Sequence, residues 1–137
     1  MPESFDLTVL TPARSVLEER VESIVAPGSE GYLGVLAHHA PLITALMAGK
    51  LKVRTAAGAE QVYALSGGFL EVADNRAVIL ADSLEEPGAI DLERARRAAD
   101  RARERLSGGA GKWDVERAEA ALKRALARIK VVEDHRI

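Results

Sequence analysis

The sequence contains no cysteine. That excludes a disulfide scaffold, thiolate-held zinc and thiol catalysis, and it leaves the compartment open. Aromatic residues are scarce at 4% of the chain: Phe5, Tyr32, Tyr63, Phe69 and Trp113. So few flat rings argue against a stacking platform for single-stranded nucleic acid. An excess of positive charge is also lacking. The net of −2 at pH 7 does not suit a chain that tracks a phosphate backbone. Long hydrophobic runs are absent as well. The longest uncharged apolar stretch, Ala40 to Gly49, is broken by Pro41 and is about half of the ~20 residues a membrane span requires. The opening Met-Pro-Glu-Ser-Phe-Asp is acidic and has no apolar leader core. The expectation is a soluble chain that inserts into no membrane directly and meets one only through a partner.

What is present divides in two. The chain has 137 residues, 47% hydrophobic and 29% charged, which is enough for one or two small domains. Residues 1–88 carry 6 Lys/Arg against 12 Asp/Glu, whereas residues 89–137 carry 13 against 9. All five prolines and all four threonines lie in the first part, and the second is built from Ala, Arg, Glu and Leu. The first composition suits strands and the second suits helices. The change falls at Pro87-Gly88 and reads as a domain boundary, with a sheet domain over 1–88 and a helical domain over 89–137.

Within the first part, short alternating runs stop at turn residues. Phe5-Asp6-Leu7-Thr8-Val9 ends at Thr11-Pro12, and Val21-Glu22-Ser23-Ile24-Val25 at Pro27-Gly28. Lys50 to Arg54 turns at Ala57-Gly58 and returns through Gln61 to Leu65. Phe69 to Val72 turns at Asp74-Asn75 and returns through Ala77 to Leu80. Strands at this spacing predict a small antiparallel sandwich or barrel. Ser66-Gly67-Gly68 is no phosphate loop, because neither a helix nor a Lys-Ser/Thr pair follows it, and it predicts a bulge or tight bend.

The second part has helical spacing. Ala95, Ala98, Ala102 and Leu106 fall on one face. Gly108-Gly109-Ala110-Gly111 interrupts, and from Trp113 a heptad-like seam of Val115, Ala118, Leu122, Ala125, Ile129 and Val132 resumes. The pattern predicts an antiparallel α-helical hairpin. Its seam is thin, since alanine buries little apolar area at ~25 cal/mol per Å². Such a hairpin either leans on the sheet domain or opens and uses the same face elsewhere.

Three segments carry a family likeness: Gly31-Tyr32-Leu33-Gly34-Val35-Leu36-Ala37-His38-His39-Ala40-Pro41-Leu42, Ser66-Gly67-Gly68-Phe69-Leu70-Glu71-Val72, and Ile90-Asp91-Leu92-Glu93-Arg94-Ala95. In this order and spacing the chain closely resembles, over essentially its whole length, the epsilon subunits of bacterial and chloroplast F-type ATP synthases. The resemblance implies a β-sandwich of about ten strands followed by a C-terminal helical hairpin. It implies a non-catalytic rotor subunit in the central stalk, with the gamma subunit and the c-ring as partners. The location it implies is peripheral, on the cytoplasmic side of a bacterial inner membrane or the stromal side of a thylakoid. It also implies helices that extend along gamma toward the beta and alpha subunits and inhibit ATP hydrolysis.

The same resemblance assigns residues. The ring and gamma interface would include Gly31, Tyr32, Leu33, His38, His39 and Pro41, with Tyr32 where some relatives carry a ring-contacting glutamate. No third ligand stands at metal spacing beside His38-His39, so no metal is expected there. No cofactor is required. In members that bind ATP as a regulatory ligand, the matching positions are Glu85, Ile90, Asp91, Arg94, Arg101, Arg124 and Arg128. Arg94 and Arg101 are two turns apart and Arg124 and Arg128 one turn apart, so each pair shares a helix face. Four converging guanidiniums suit a triphosphate between them. Read from its residues alone, Asp91 is a helix N-cap. Catalysis of hydrolysis is not expected, because the chain has neither a phosphate loop nor a carboxylate cluster for Mg²⁺. The other basic residues, among them Arg96, Arg97, Arg103, Arg105, Lys123 and Lys130, form a solvated face or, as the resemblance implies, meet acidic segments of beta when the helices extend. A free-standing ATP sensor and a nucleic-acid module built on the basic half are the rival readings. The second is disfavoured by the missing aromatics and the interspersed glutamates.

Overall fold

A computed structural model describes residues 3–108 and 111–135, with every side chain in these stretches except those of Lys112 and Trp113. Its strands are β1 (Phe5–Leu10), β2 (Ser15–Gly28), β3 (Gly31–Leu36), β4 (Leu42–Thr55), β5 (Glu60–Ala73), β6 (Arg76–Ala81) and β7 (Leu84–Glu85). A short 3-10 turn, Pro87–Ala89, leads to helices α1 (Leu92–Ser107) and α2 (Lys112–His135).

Three strands, β2, β4 and β5, are 14 residues long and serve two layers. In the first layer the start of β2 pairs β1, β1 pairs β6, β6 pairs the end of β5, and that segment pairs the start of β4. In the second, β3 pairs the end of β2, which pairs the end of β4, followed by the start of β5 and then β7. Counting each long strand once per layer turns seven strands into the ten segments the family likeness implies. The β1–β6 pairing is parallel, the one departure from the antiparallel expectation.

The bends between layers are written in the residues. Register slips around Glu22 on β2, and the β4–β5 ladder skips Met47 and Gly67. Gly67 and Gly68 have φ of 114° and 144°, a region L side chains avoid. A Cβ on Gly68 would run into the Leu80 carbonyl oxygen. The predicted bulge at Ser66-Gly67-Gly68 is therefore the corner of β5, fastened by the Asp82 amide donating to the Gly67 carbonyl at 2.9 Å. At the predicted Asp74-Asn75 turn both residues are left-handed, at φ 51° and 59°, as a tight two-residue hairpin demands. Between the layers lies an aliphatic core that includes Phe5, Leu7, Ile24, Leu51, Leu65, Leu70 and Ile79, each at most 1% exposed.

The helices stack outward from this sandwich. α2 lies on β4 and β5, and α1 lies on α2. On α1 the buried residues are Ala95, Ala99 and Ala102, so Ala99 takes the place predicted for Ala98, which is half-buried. α2 buries Ala118, Ala125 and Val132 of the predicted seam, and also Ala127 and Val131, which the seam did not contain. The reason is position in the stack: a middle helix needs an apolar stripe on both sides, an outer helix needs one. Gly109 and Ala110 of the predicted turn lie outside the described residues.

Candidate functional site

The hairpin begins with a cap. Asp91 has extended backbone and its Oδ1 accepts from the Arg94 amide at 3.1 Å, satisfying one of the helix's free N–H groups. Glu93 sits in the first turn, where the positive end of the helix dipole favours it. Ile90 is half-buried just before the cap.

Of the seven positions assigned to a nucleotide, Asp91 and Arg94 already meet through the cap, and one further pair is joined side chain to side chain. Arg128 Nε donates to Glu85 Oε1 at 2.6 Å, tying α2 to β7. Both side chains are about one-third exposed, at 33% and 30%. Arg94, Arg101 and Arg124 are exposed, and none of the three makes an ion pair among the described residues. Arg124 lines an open cleft of about 510 Å³ between α2 and the β5 corner, together with Asp82, Glu116, Glu119 and Lys123.

The interface positions separate along β3. Gly31, with φ 125°, and Tyr32 begin the strand, Leu33 follows half-buried, and His38, His39 and Pro41 lie beyond its far end. Six strand residues place the two groups roughly 17 Å apart. His38 is left-handed, at φ 64°. Its amide donates to Asn75 Oδ1 at 2.8 Å and its Nε2 meets Glu3 Oε2 at 3.1 Å. His39 Nδ1 lies 2.7 Å from the Ala40 carbonyl. Among the described residues no cluster of His, Asp and Glu could hold a metal ion.

Tyr32 lies beside the hairpin. Its hydroxyl accepts from the Lys50 amide at 3.1 Å. It also lines a cleft of about 450 Å³ with Gly49, Leu126, Lys130 and Glu133. Gly49 makes this approach possible: a Cβ there would sit 2.7 Å from Pro27 Cβ and 2.9 Å from the tyrosine oxygen.

Sequence reasoning missed a second tie between the domains. Lys50 Nζ on β4 donates to Asp134 Oδ2 on α2 at 2.7 Å, with the side chains 28% and 24% exposed. Lys130, one turn back, stands 3.6 Å from the other oxygen. The Lys50 hydrogen bond, against a smaller opposing effect of burial, holds the Asp134 carboxyl below its usual range. The attraction is therefore complete above about pH 4, the ordinary aspartate value, and fades as pH falls through the lowered one. No local signal joins residues 84 positions apart in the chain.

A bent-strand sandwich that carries a two-helix hairpin on one face, held by two interdomain ion pairs, is the class of protein defined here. Family models agree with the architecture. "ATP synthase, Delta/Epsilon chain, beta-sandwich domain" matches residues 4–87, and "ATP synthase, Delta/Epsilon chain, long alpha-helix domain" matches residues 89–133. The ATP synthase epsilon chain of Moorella thermoacetica is 50% identical over 127 residues, covering 93% of this chain and 95% of that one. The epsilon chain of Desulforamulus reducens is 45% identical over 133 residues, covering 97% and 100%. The chain belongs to the ATP synthase delta/epsilon family, and within it to the epsilon chains. A chain in the cryo-EM structure of Euglena gracilis mitochondrial ATP synthase, OSCP/F1/c-ring in rotational state 1, superposes with a TM-score of 0.83 at 27% identity, over 100% of this chain and 84% of that one. A chain of the Tetrahymena thermophila central stalk and c-ring shares the fold, with a TM-score of 0.64 at 18% identity.

Proposed function

We propose that this chain is a non-catalytic rotor subunit of an F-type ATP synthase, that its sandwich joins gamma to the c-ring, and that its hairpin is a brake on ATP hydrolysis that works by leaving the sandwich. The observation that carries the brake is the way the hairpin is attached. α1 touches α2 through Ala95, Ala99 and Ala102 and has no substantial contact with the sheet, while α2 rests on the sheet beside an open cleft and through two partly exposed ion pairs. A thin apolar seam and two ion pairs at the edge of the contact make an attachment that a partner surface can outbid. The separated groups at the two ends of β3 suit two different neighbours, which supports a subunit placed between ring and stalk. No helix among the described residues is long and apolar enough to cross a membrane. The location that fits is peripheral, on the F1 side of the membrane.

Added to an F1 core that lacks epsilon, the full chain is expected to lower ATPase activity severalfold. Residues 1–88 should bind the core and leave its activity high. Equal inhibition by both would refute the brake.

The same hairpin is proposed to take ATP as a regulatory ligand that holds it closed. Three exposed arginines without ion-pair partners among the described residues, one of them, Arg124, a single turn from Arg128 on α2, favour this reading. Differential affinity for the closed form is what allows a ligand to shift that equilibrium. Isothermal titration of the isolated chain with ATP should give saturable heat, weakened about tenfold or more by Arg94→Ala. No heat from the wild type would remove the nucleotide and leave the rotor reading intact.

A further inference from the structure

Resting on the reading of the hairpin as mobile, we propose that Lys50 and Asp134 form its latch: an ion pair, separate from the residues assigned to ATP, that sets how much of the chain is closed when no nucleotide is bound. On α2, Ala127 is buried at the cleft that Ala48 and Gly49 of the sheet also line, while Leu126 beside it stays 40% exposed. Small side chains bury little area, and a larger one left exposed adds little more. Farther toward its start, α2 overhangs the cleft of about 510 Å³ at the β5 corner, where Glu116, Glu119, Lys123 and Arg124 line open space. Attachment is thus concentrated in the last turns, where the sheet supplies Lys50 and Glu85.

The two pairs differ in role. Arg128 of the Glu85 pair lies in the arginine set that a phosphate would draw on. The Lys50 pair has no such competitor, and the structure prepares it on both sides. On the sheet, Lys50 is positioned through its amide by the Tyr32 hydroxyl at 3.1 Å. On the helix, Lys130 supports the second Asp134 oxygen at 3.6 Å. With only about a quarter of each side chain exposed, loss of one partner leaves the other charge poorly hydrated for as long as the hairpin stays closed. Opening relieves that penalty, so removing either partner favours the open form. Other charged or titratable groups at this helix end include Glu133, which lines a cleft with Lys50, and Glu60, Glu86 and His135, which line a neighbouring cleft with Asp134.

Because the native chain lacks cysteine, two introduced thiols report the equilibrium cleanly. Spin labels at Asp82→Cys on the sandwich and Glu119→Cys on α2, both exposed and lining one cleft, would be followed by pulsed electron paramagnetic resonance in the full chain without nucleotide. The expected result is a mainly short distance in the parent. Lys50→Met and Asp134→Asn should each raise the long-distance fraction relative to the short by about tenfold. The exchange Lys50→Asp with Asp134→Lys should restore the short distance, and Arg96→Met, which removes only a surface pair with Glu93, should change nothing. Raising salt should move the parent in the direction of the single variants. If both single variants keep the parent distribution, the latch is refuted. The mobile hairpin still stands in that case if binding to the F1 core lengthens the distance, and falls with the latch if it does not.

Discussion

At the scale of single residues, the fold turns on a few positions where one atom decides. Gly68 is the clearest. Its φ of 144° and the Leu80 carbonyl against it leave no space for a side chain. Gly68→Ala should cost about 3 kcal/mol and lower the melting temperature by roughly 10 °C, read by calorimetry on the isolated chain. An unchanged transition would mean that β5 does not turn its corner there. Such positions were legible because glycine pairs flanked by strand patterns have few other uses. Lys50 and Asp134 were not. Lys50 reads as one more polar residue in an alternating strand, and Asp134 as part of an acidic tail without a motif. Their meaning arises from tertiary placement, which no local pattern encodes.

The secondary elements show what periodicity reveals and where it stops. Alternation located β1, β6, the second half of β2 and β4 and both halves of β5, but not β3, β7 or the starts of β2 and β4, so it did not show that the three long strands each pass through both layers. On the helices, a spacing of three and four found the seam between α1 and α2. It missed Ala127 and Val131, because a helix packed on two sides has a second stripe that interrupts the first. The cap was readable, because an aspartate before a helical run has a specific use for its oxygen. Asp91→Ala removes the bond to the Arg94 amide and should cost about 1 kcal/mol of hairpin stability. Amide exchange in the first turn of α1 should quicken about fivefold, with the sandwich core unaffected. Equal protection in both proteins would show that packing on α2, not the cap, sets where the helix begins.

In the whole molecule the two domains are held together unequally. The sandwich closes around a dry aliphatic core, whereas the hairpin rests on its outer face beside an open cleft and through two ion pairs. Composition places a division near Pro87-Gly88; it does not give the order sandwich, α2, α1, because alanine-rich faces are too alike to say which meets which. This inequality is the physical basis of the proposed brake. A stable base stays with the rotor while a lightly held arm exchanges one surface for another.

The most direct test fastens the arm. Cysteines at Ala48 and Leu126, which line the same cleft between β4 and α2, would be joined by a short thiol-reactive crosslinker before the chain is added to an F1 core without epsilon. The fastened chain should still bind the core but no longer slow ATP hydrolysis, while the same double variant left open should slow it like the parent. Undiminished inhibition by the fastened chain would contradict the proposed brake.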